Sequence, residues 1–144
     1  MSETYVICDK CNQLNRVRLG TKKEPICGKC QANLPVHEAI VKGSDKNLQA
    51  LIEKSPLPVV VDVWAPWCGP CKSFAPTFEQ ASTQYAGKVV FVKLNSDENQ
   101  QMAGRFGIKG IPTTIVFKNG KEATRQSGVI PREQFGPWLD YSTK

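Results

Sequence analysis

Two cysteines separated by two residues, Cys68 and Cys71, stand where an apolar run gives way to a helical pattern. This junction constrains the chain more than any other segment. Val59, Val60, Val61, Val63 and Trp64 surround Asp62 in a near-continuous apolar run, as expected for a central strand covered on both faces. Lys72, Ser73, Phe74, Ala75, Pro76, Thr77 and Phe78 then open a helix. A strand-to-helix turn built from Cys68, Gly69, Pro70 and Cys71 sets the first thiol over free backbone N–H groups and the positive end of the helix. Both favour the thiolate, which is the reactive form. The junction therefore points to dithiol–disulfide exchange.

The surrounding pattern supports an α/β domain. A short strand is expected at Ala39, Ile40 and Val41, with Ser44 at a helix N-cap and Leu48, Leu51 and Ile52 forming an apolar face. Pro56 and Pro58 stop that helix. The helix after Cys71 should run to about Tyr85, with Pro76 kinking it. Residues 89–94 make a second central strand, and residues 100–106 a short helix ended by Gly107. Asn119 and Gly120 lie between strand-like runs, a strong hairpin signal. A last helix begins near Pro131 and turns Phe135, Trp138 and Leu139 inward. Strands alternating with helices, then a hairpin, predict a mixed sheet flanked by helices. Phe74, Phe78, Phe91 and Trp64 are core residues in this reading.

The six cysteines form three Cys-x-x-Cys pairs. The first two, Cys8/Cys11 and Cys27/Cys30, are 15 residues apart, a spacing that suits two knuckles around one tetrahedral Zn²⁺. Four thiolates with no open position imply a structural site. So short and polar a segment cannot build a core alone, which is why a metal is expected. A disulfide-linked or iron–sulfur module is the alternative. Gly28 suits the tight turn between ligands, and His37 lies outside the knuckles as a surface residue. Three units follow: residues 1–34 as a four-cysteine module, 35–37 as a linker marked by Pro35, and 38–144 as the larger domain.

Net charge is +6, and the first 35 residues carry six basic side chains against three acidic ones. Four thiolates on one Zn²⁺ would reduce that local excess of +3 to about +1, so nucleic-acid binding is not expected. No run approaches the ~20 apolar residues of a membrane span. The start of the chain lacks a basic stretch followed by a long apolar one, so no signal peptide is expected and the cytoplasm is the default compartment. There a structural disulfide framework is disfavoured, and metal binding or catalysis is the natural use of cysteine.

Residues 61–72, then Lys93, Leu94 and Asn95, then Gly110, Ile111, Pro112 and Thr113, then Gly128, resemble the thioredoxin family in order and spacing. The four-cysteine extension is similar to that of bacterial members with an N-terminal zinc-ribbon-like module. The resemblance implies a thioredoxin fold and protein-disulfide reduction, with Cys68 as nucleophile and the more exposed sulfur, and Cys71 as the resolving thiol. It makes Asp62 a buried acid that assists proton transfer at Cys71, with Lys93 its electrostatic neighbour. A plain structural ion pair between the two is the other reading. It implies a cis Ile111–Pro112 bond whose backbone pairs with extended substrate, where the residues alone allow a proline that merely starts a strand. Trp67, Gly69, Pro70, Gly110 and Gly128 complete the docking surface. The implied partners are protein disulfides and an NADPH-dependent flavoprotein thioredoxin reductase, since the chain has no dinucleotide fingerprint of its own. A monomer is expected. Two other functions stay open. One is a redox-regulated binding protein with zinc thiolates as sensors; the other is a zinc-ribbon nucleic-acid binder carrying a redox domain. Oxidase or isomerase activity is also within the fold, although the Gly69-Pro70 spacer favours the reductant.

Overall fold

Period-2 apolar runs pair into sheet and 3.6-period runs coil against it, and the chain does both in alternation. The computed structural model describes residues 2–144. A separate two-stranded antiparallel hairpin comes first, β1 (Glu3–Ile7) and β2 (Leu14–Arg18). The main sheet follows: β3 (Val36–His37), β4 (Ile40–Lys42), β5 (Val59–Trp64), β6 (Val90–Asn95), β7 (Thr113–Lys118) and β8 (Lys121–Ser127), in the spatial order β3-β4-β6-β5-β7-β8. β4, β6 and β5 run parallel; β3, β7 and β8 pair antiparallel with their neighbours. Four helices cover it: α1 (Leu48–Lys54), α2 (Gly69–Gln84), α3 (Gln100–Arg105) and α4 (Arg132–Ser142). No helix among the described residues is long and apolar enough to cross a membrane.

β5 shows why its valines are continuous. Val59, Val61 and Val63 join one core with Leu48, Leu51, Val92, Leu94 and Ile115. Val60 joins the other with Phe74, Phe78, Phe91, Val116, Phe135 and Leu139. Both faces are buried, so alternation with polar residues is absent. The second core is aromatic: the Phe78 ring meets Phe91 edge-on at 5.2 Å and Phe74 meets Phe135 at 5.3 Å. Truncating one such ring to alanine costs about 3–5 kcal/mol. Pro76 sits inside α2 as expected. Asn119 and Gly120 both have positive φ (54° and 80°), the geometry of a two-residue hairpin turn.

Several sequence expectations change. Residues 35–37 are no free linker: Val36 and His37 form β3, the edge strand paired with Val41 and Ile40. His37 is exposed there, as expected. The four-cysteine module is not polar throughout, because Val6 and Ile7 are fully buried and Val17 and Leu34 nearly so, all in the same core as α1 and β5. The module therefore packs on the larger domain. Ser44 does not cap α1; it opens the turn before it, and Asn47 takes the N-cap position. Pro131 is the N-cap of α4, one residue before the helix.

Candidate functional site: a disulfide at a helix head and a four-cysteine cluster

β5 delivers the chain to the head of α2 through the buried Ala65. Cys68 is the N-cap of α2 (φ −87°, ψ 113°), and its Sγ accepts the Cys71 N–H at 3.2 Å. Pro70 sits in the first turn, where its missing N–H leaves no intrahelical bond unmade. Cys68 and Cys71 form a disulfide, with Cα atoms 5.3 Å apart. Both are buried (5% and 3% exposed), so the greater exposure expected of Cys68 is slight. What separates them is position: Cys68 lies before the helix and 3.7 Å from the Ile111 carbonyl oxygen, Cys71 within its first turn.

The Ile111–Pro112 bond is cis. Gly128, with φ +88°, donates its N–H to the Pro112 carbonyl at 2.8 Å. Gly69, Pro70 and Gly110 are exposed around the same rim. Trp67 is 70% exposed, yet its Nε1–H donates to Asp97 Oδ2 at 2.9 Å. A groove of about 560 Å³ runs from Trp67 past Ser96, Ala103 and Ile108 to Ile111. Asp97 was missed by sequence reasoning, since an aspartate in a post-strand loop carries no signal for a tryptophan 30 residues earlier.

Asp62 is 1% exposed, and neither carboxylate oxygen has a hydrogen-bond partner in the protein. Its neighbour Val60 faces the α2 core, so by strand alternation Asp62 points to the same side. Burial pushes its pKa up to about 7, and the Lys93 ammonium opposes this only in part. Asp62 and Lys93 are register partners in the parallel pair β5–β6. Among the described residues no ion pair within 4 Å joins them, and the Lys93 Nζ lies over the Trp64 ring, 5.3 Å from its centroid. The plain ion-pair reading is therefore replaced by a longer-range attraction.

A raised carboxylate pKa has a definite linkage sign. Below pH 4 Asp62 is protonated in both the native and unfolded chains, so it costs nothing. Between pH 4 and 7 the unfolded chain releases a proton the native state keeps, and stability falls. Above pH 7 the full cost is present, about 4 kcal/mol as an upper figure. Asp62→Asn should therefore raise stability by a few kcal/mol at pH 8 and by little at pH 4, read by denaturant unfolding at both values. Equal effects at the two pH values would contradict this account.

The other four cysteines sit on two matched knuckles. Cys8 N–H donates to Gln13 O and Asn12 N–H to Cys8 O; Cys27 N–H donates to Ala32 O and Gln31 N–H to Cys27 O. Each turn closes through a left-handed residue just after its second cysteine, Asn12 and Gln31, both at φ 65°. That position, not Gly28, is where the conformational demand falls. Gly28 instead donates its N–H to Asn15 Oδ1 at 2.9 Å.

The four Sγ atoms lie within 4.8 Å of one another, with Cys8–Cys30 at 3.6 Å and Cys11–Cys27 at 3.5 Å. Tetrahedral bonds of about 2.3 Å would set sulfurs about 3.8 Å apart, so the donor set and its spacing fit one metal ion. Backbone N–H groups on the second knuckle pull the Cys27 thiol down to about 6, while burial pushes Cys11 up to about 12. Asn15 Nδ2–H and Lys29 N–H both point at Cys27 Sγ, at 3.5 and 3.4 Å. Asn15 thus supports the Cys27 sulfur, a contact that the cysteine spacing could not reveal.

Comparison with known proteins agrees with this geometry. The thioredoxin family profile matches residues 39–141, a span that begins after the four cysteines. Thioredoxin of Haemophilus influenzae is 38% identical over 97 residues, which is 67% of this chain and 91% of that protein. Thioredoxin of Synechocystis is 44% identical over 97 residues, with the same two shares. Thioredoxin 1 of Nostoc is 39% identical over 102 residues, 71% of this chain and 95% of the relative. With its disulfide at the strand-to-helix turn and a family profile matching residues 39–141, the chain belongs to the thioredoxin family and is a thiol–disulfide oxidoreductase of the protein-disulfide reductase type.

Proposed function

We propose that the protein is a general cytoplasmic reductant of protein disulfides, monomeric, and recharged by a flavin-containing thioredoxin reductase drawing on NADPH. The observation that carries this reading is the Cys68–Cys71 pair at the head of α2 beside the Ile111 carbonyl. An extended substrate segment pairs with the backbone at Ile111 and lies against Trp67, Gly69, Pro70, Gly110, Pro112 and Gly128. In the reduced protein the Cys68 thiolate attacks one sulfur of the substrate disulfide. A mixed disulfide forms and the other substrate sulfur leaves as a thiol. Cys71 then attacks Cys68 Sγ, closing the internal disulfide and releasing the second substrate thiol. Asp62 takes the Cys71 proton as that attack begins. A carboxyl group with a pKa near 7 is matched to this task at neutral pH. Lys93 moderates that pKa from the adjacent strand. Two electrons pass to the substrate for each turn, and the reductase restores the dithiol.

The metal of the N-terminal module is Zn²⁺ in this reading, held by Cys8, Cys11, Cys27 and Cys30. When bound, zinc supplies the cross-link that two short knuckles lack. The exposure of Cys30 favours a second, compatible role in which oxidation of the cluster senses redox conditions. The test is NADPH-driven insulin reduction with thioredoxin reductase, with zinc assayed on the same sample. Steady turnover and about one zinc per chain are expected. Metal-loaded protein with no turnover would sink the reductant reading and leave the sensor.

A further inference from the structure

Residues 43–47 lie between the cysteine cluster and the groove that runs from Trp67 to Ile111, hydrogen-bonded to Asp9 of the first knuckle and to the head of α3, whose next turn lines that groove. On one side, Asp9 stands between the ligands Cys8 and Cys11, and its Oδ1 accepts from Asn47 Nδ2 at 2.8 Å and from the Ser44 hydroxyl at 3.4 Å. Asn47 is fully buried and its amide is fully used. It donates also to the Lys42 carbonyl at 3.1 Å and accepts from the Ser44 N–H at 2.9 Å. On the other side, Asp45 takes the first-turn N–H groups of α3, Met102 at 2.8 Å and Gln101 at 3.4 Å, and gives its own N–H to Asn99 Oδ1 at 3.0 Å. The Asn99 amide donates to the Asn95 carbonyl at 3.1 Å, and the Asn95 side chain accepts the Asp97 N–H at 2.9 Å. Asp97 is the residue that holds Trp67. Gln100, Ala103 and Gly104 of α3 line the groove beside Trp67.

The segment has little freedom at its start. Gly43 gives its N–H to the Lys93 carbonyl at 2.9 Å, and a Cβ there would fall 2.6 Å from Val92 Cγ1 and 3.3 Å from that same oxygen. The segment is therefore held fast to the sheet where it begins. We propose that residues 43–47 are a joint coupling metal occupancy of the four-cysteine cluster to the substrate groove, with Asp9–Asn47 as one arm and Asp45–α3 as the other. When the metal leaves, the knuckle relaxes and Asp9 is withdrawn. Asn47 is left with a buried donor unpaired and must move to find water or another acceptor. By reciprocity, loosening the Asn47 contact weakens metal retention. Asp9 and Asn47 are positioning residues: neither touches substrate or metal.

This proposal rests on the metal and substrate readings above, and its test keeps the failures apart. The full-length zinc-loaded protein is titrated against a chromophoric chelator, and KM and kcat for insulin are measured before and after stripping. In wild type, stripping should raise KM severalfold with kcat little changed. Asp9→Ala should weaken zinc retention severalfold, through the loosened first knuckle, and should raise KM in the loaded protein. Asp9→Asn keeps an acceptor for Asn47 and should restore both. Lys10→Ala, in the same knuckle, should change neither. The joint is overturned if Asp9→Ala retains zinc and KM like wild type, or if Asp9→Asn is as impaired as Asp9→Ala, which would assign the effect to local charge. Wild type that purifies without metal overturns the zinc reading and the joint together, whereas failed turnover with tight zinc retention overturns the reductant reading.

Discussion

Cys68→Ser should lower protein-disulfide reduction by about a thousandfold or more, the scale on which loss of a covalent nucleophile is felt. A serine hydroxyl at the head of α2 is not ionised near neutral pH and forms no mixed disulfide, so the first step has no substitute. Cys71→Ser should fail differently. Cys68 would still attack, but nothing one turn into the helix would resolve the adduct. Mixed disulfides with substrate should accumulate and be visible as higher-mass species on non-reducing gels, cleared by dithiothreitol. The asymmetry is the informative result. If the two variants trapped substrate equally, the assignment of nucleophile and resolving thiol from helix position would be wrong. The fold of both variants should be intact, because each side chain is small and the strand and helix that hold it are packed independently in two large cores.

The second large effect is expected from Cys27→Ser or from chelation. β1 and β2 are a lone five-pair hairpin, and the second knuckle adds one isolated bridge, Ile26 to Asn33. A two-stranded hairpin is marginal in water, and the apparent free energy of structural zinc in small domains is about 10–16 kcal/mol. Metal loss should therefore open residues 3–34. The consequence is not local, because Val6 and Ile7 leave a core shared with Leu48 and Leu51. Burial of two such side chains is worth about 3–6 kcal/mol. The thermal midpoint should fall by on the order of 10 °C. Limited proteolysis should cut first between residues 8 and 30. A metal-free protein with the same midpoint and the same cleavage pattern would refute the shared-core account.

Much of this protein was legible along the chain because its signals are local. Cys68, Gly69, Pro70 and Cys71 state their chemistry within four residues. The β5 valines announce a strand buried on both faces, and Asn119-Gly120 announces its turn. The two knuckles follow from cysteine spacing, although the left-handed residues proved to be Asn12 and Gln31 where Gly28 had seemed the natural choice. The four-cysteine module looks polar along the chain because its few apolar residues, Val6, Ile7 and Val17, are too short a run to advertise a core. Their burial depends on α1, which lies some forty residues later.

The sequence by itself determined the cysteine pair at the strand-to-helix turn, the grouping of the other four cysteines into two knuckles, and the order of strands and helices from β4 onward, since each depends on residue types and spacings within one element or turn. Only the tertiary structure decided that Asp62 is buried without a partner, that Asp97 holds Trp67, that β3 is a sheet edge, and that Asp9 meets Asn47 across 38 residues. The physical reason is common to all four. Asp, Asn and short Val-His segments are ordinary surface residues in any local window. Their energetic weight comes from desolvation and from partners that the packing of distant elements brings within 3 Å of them.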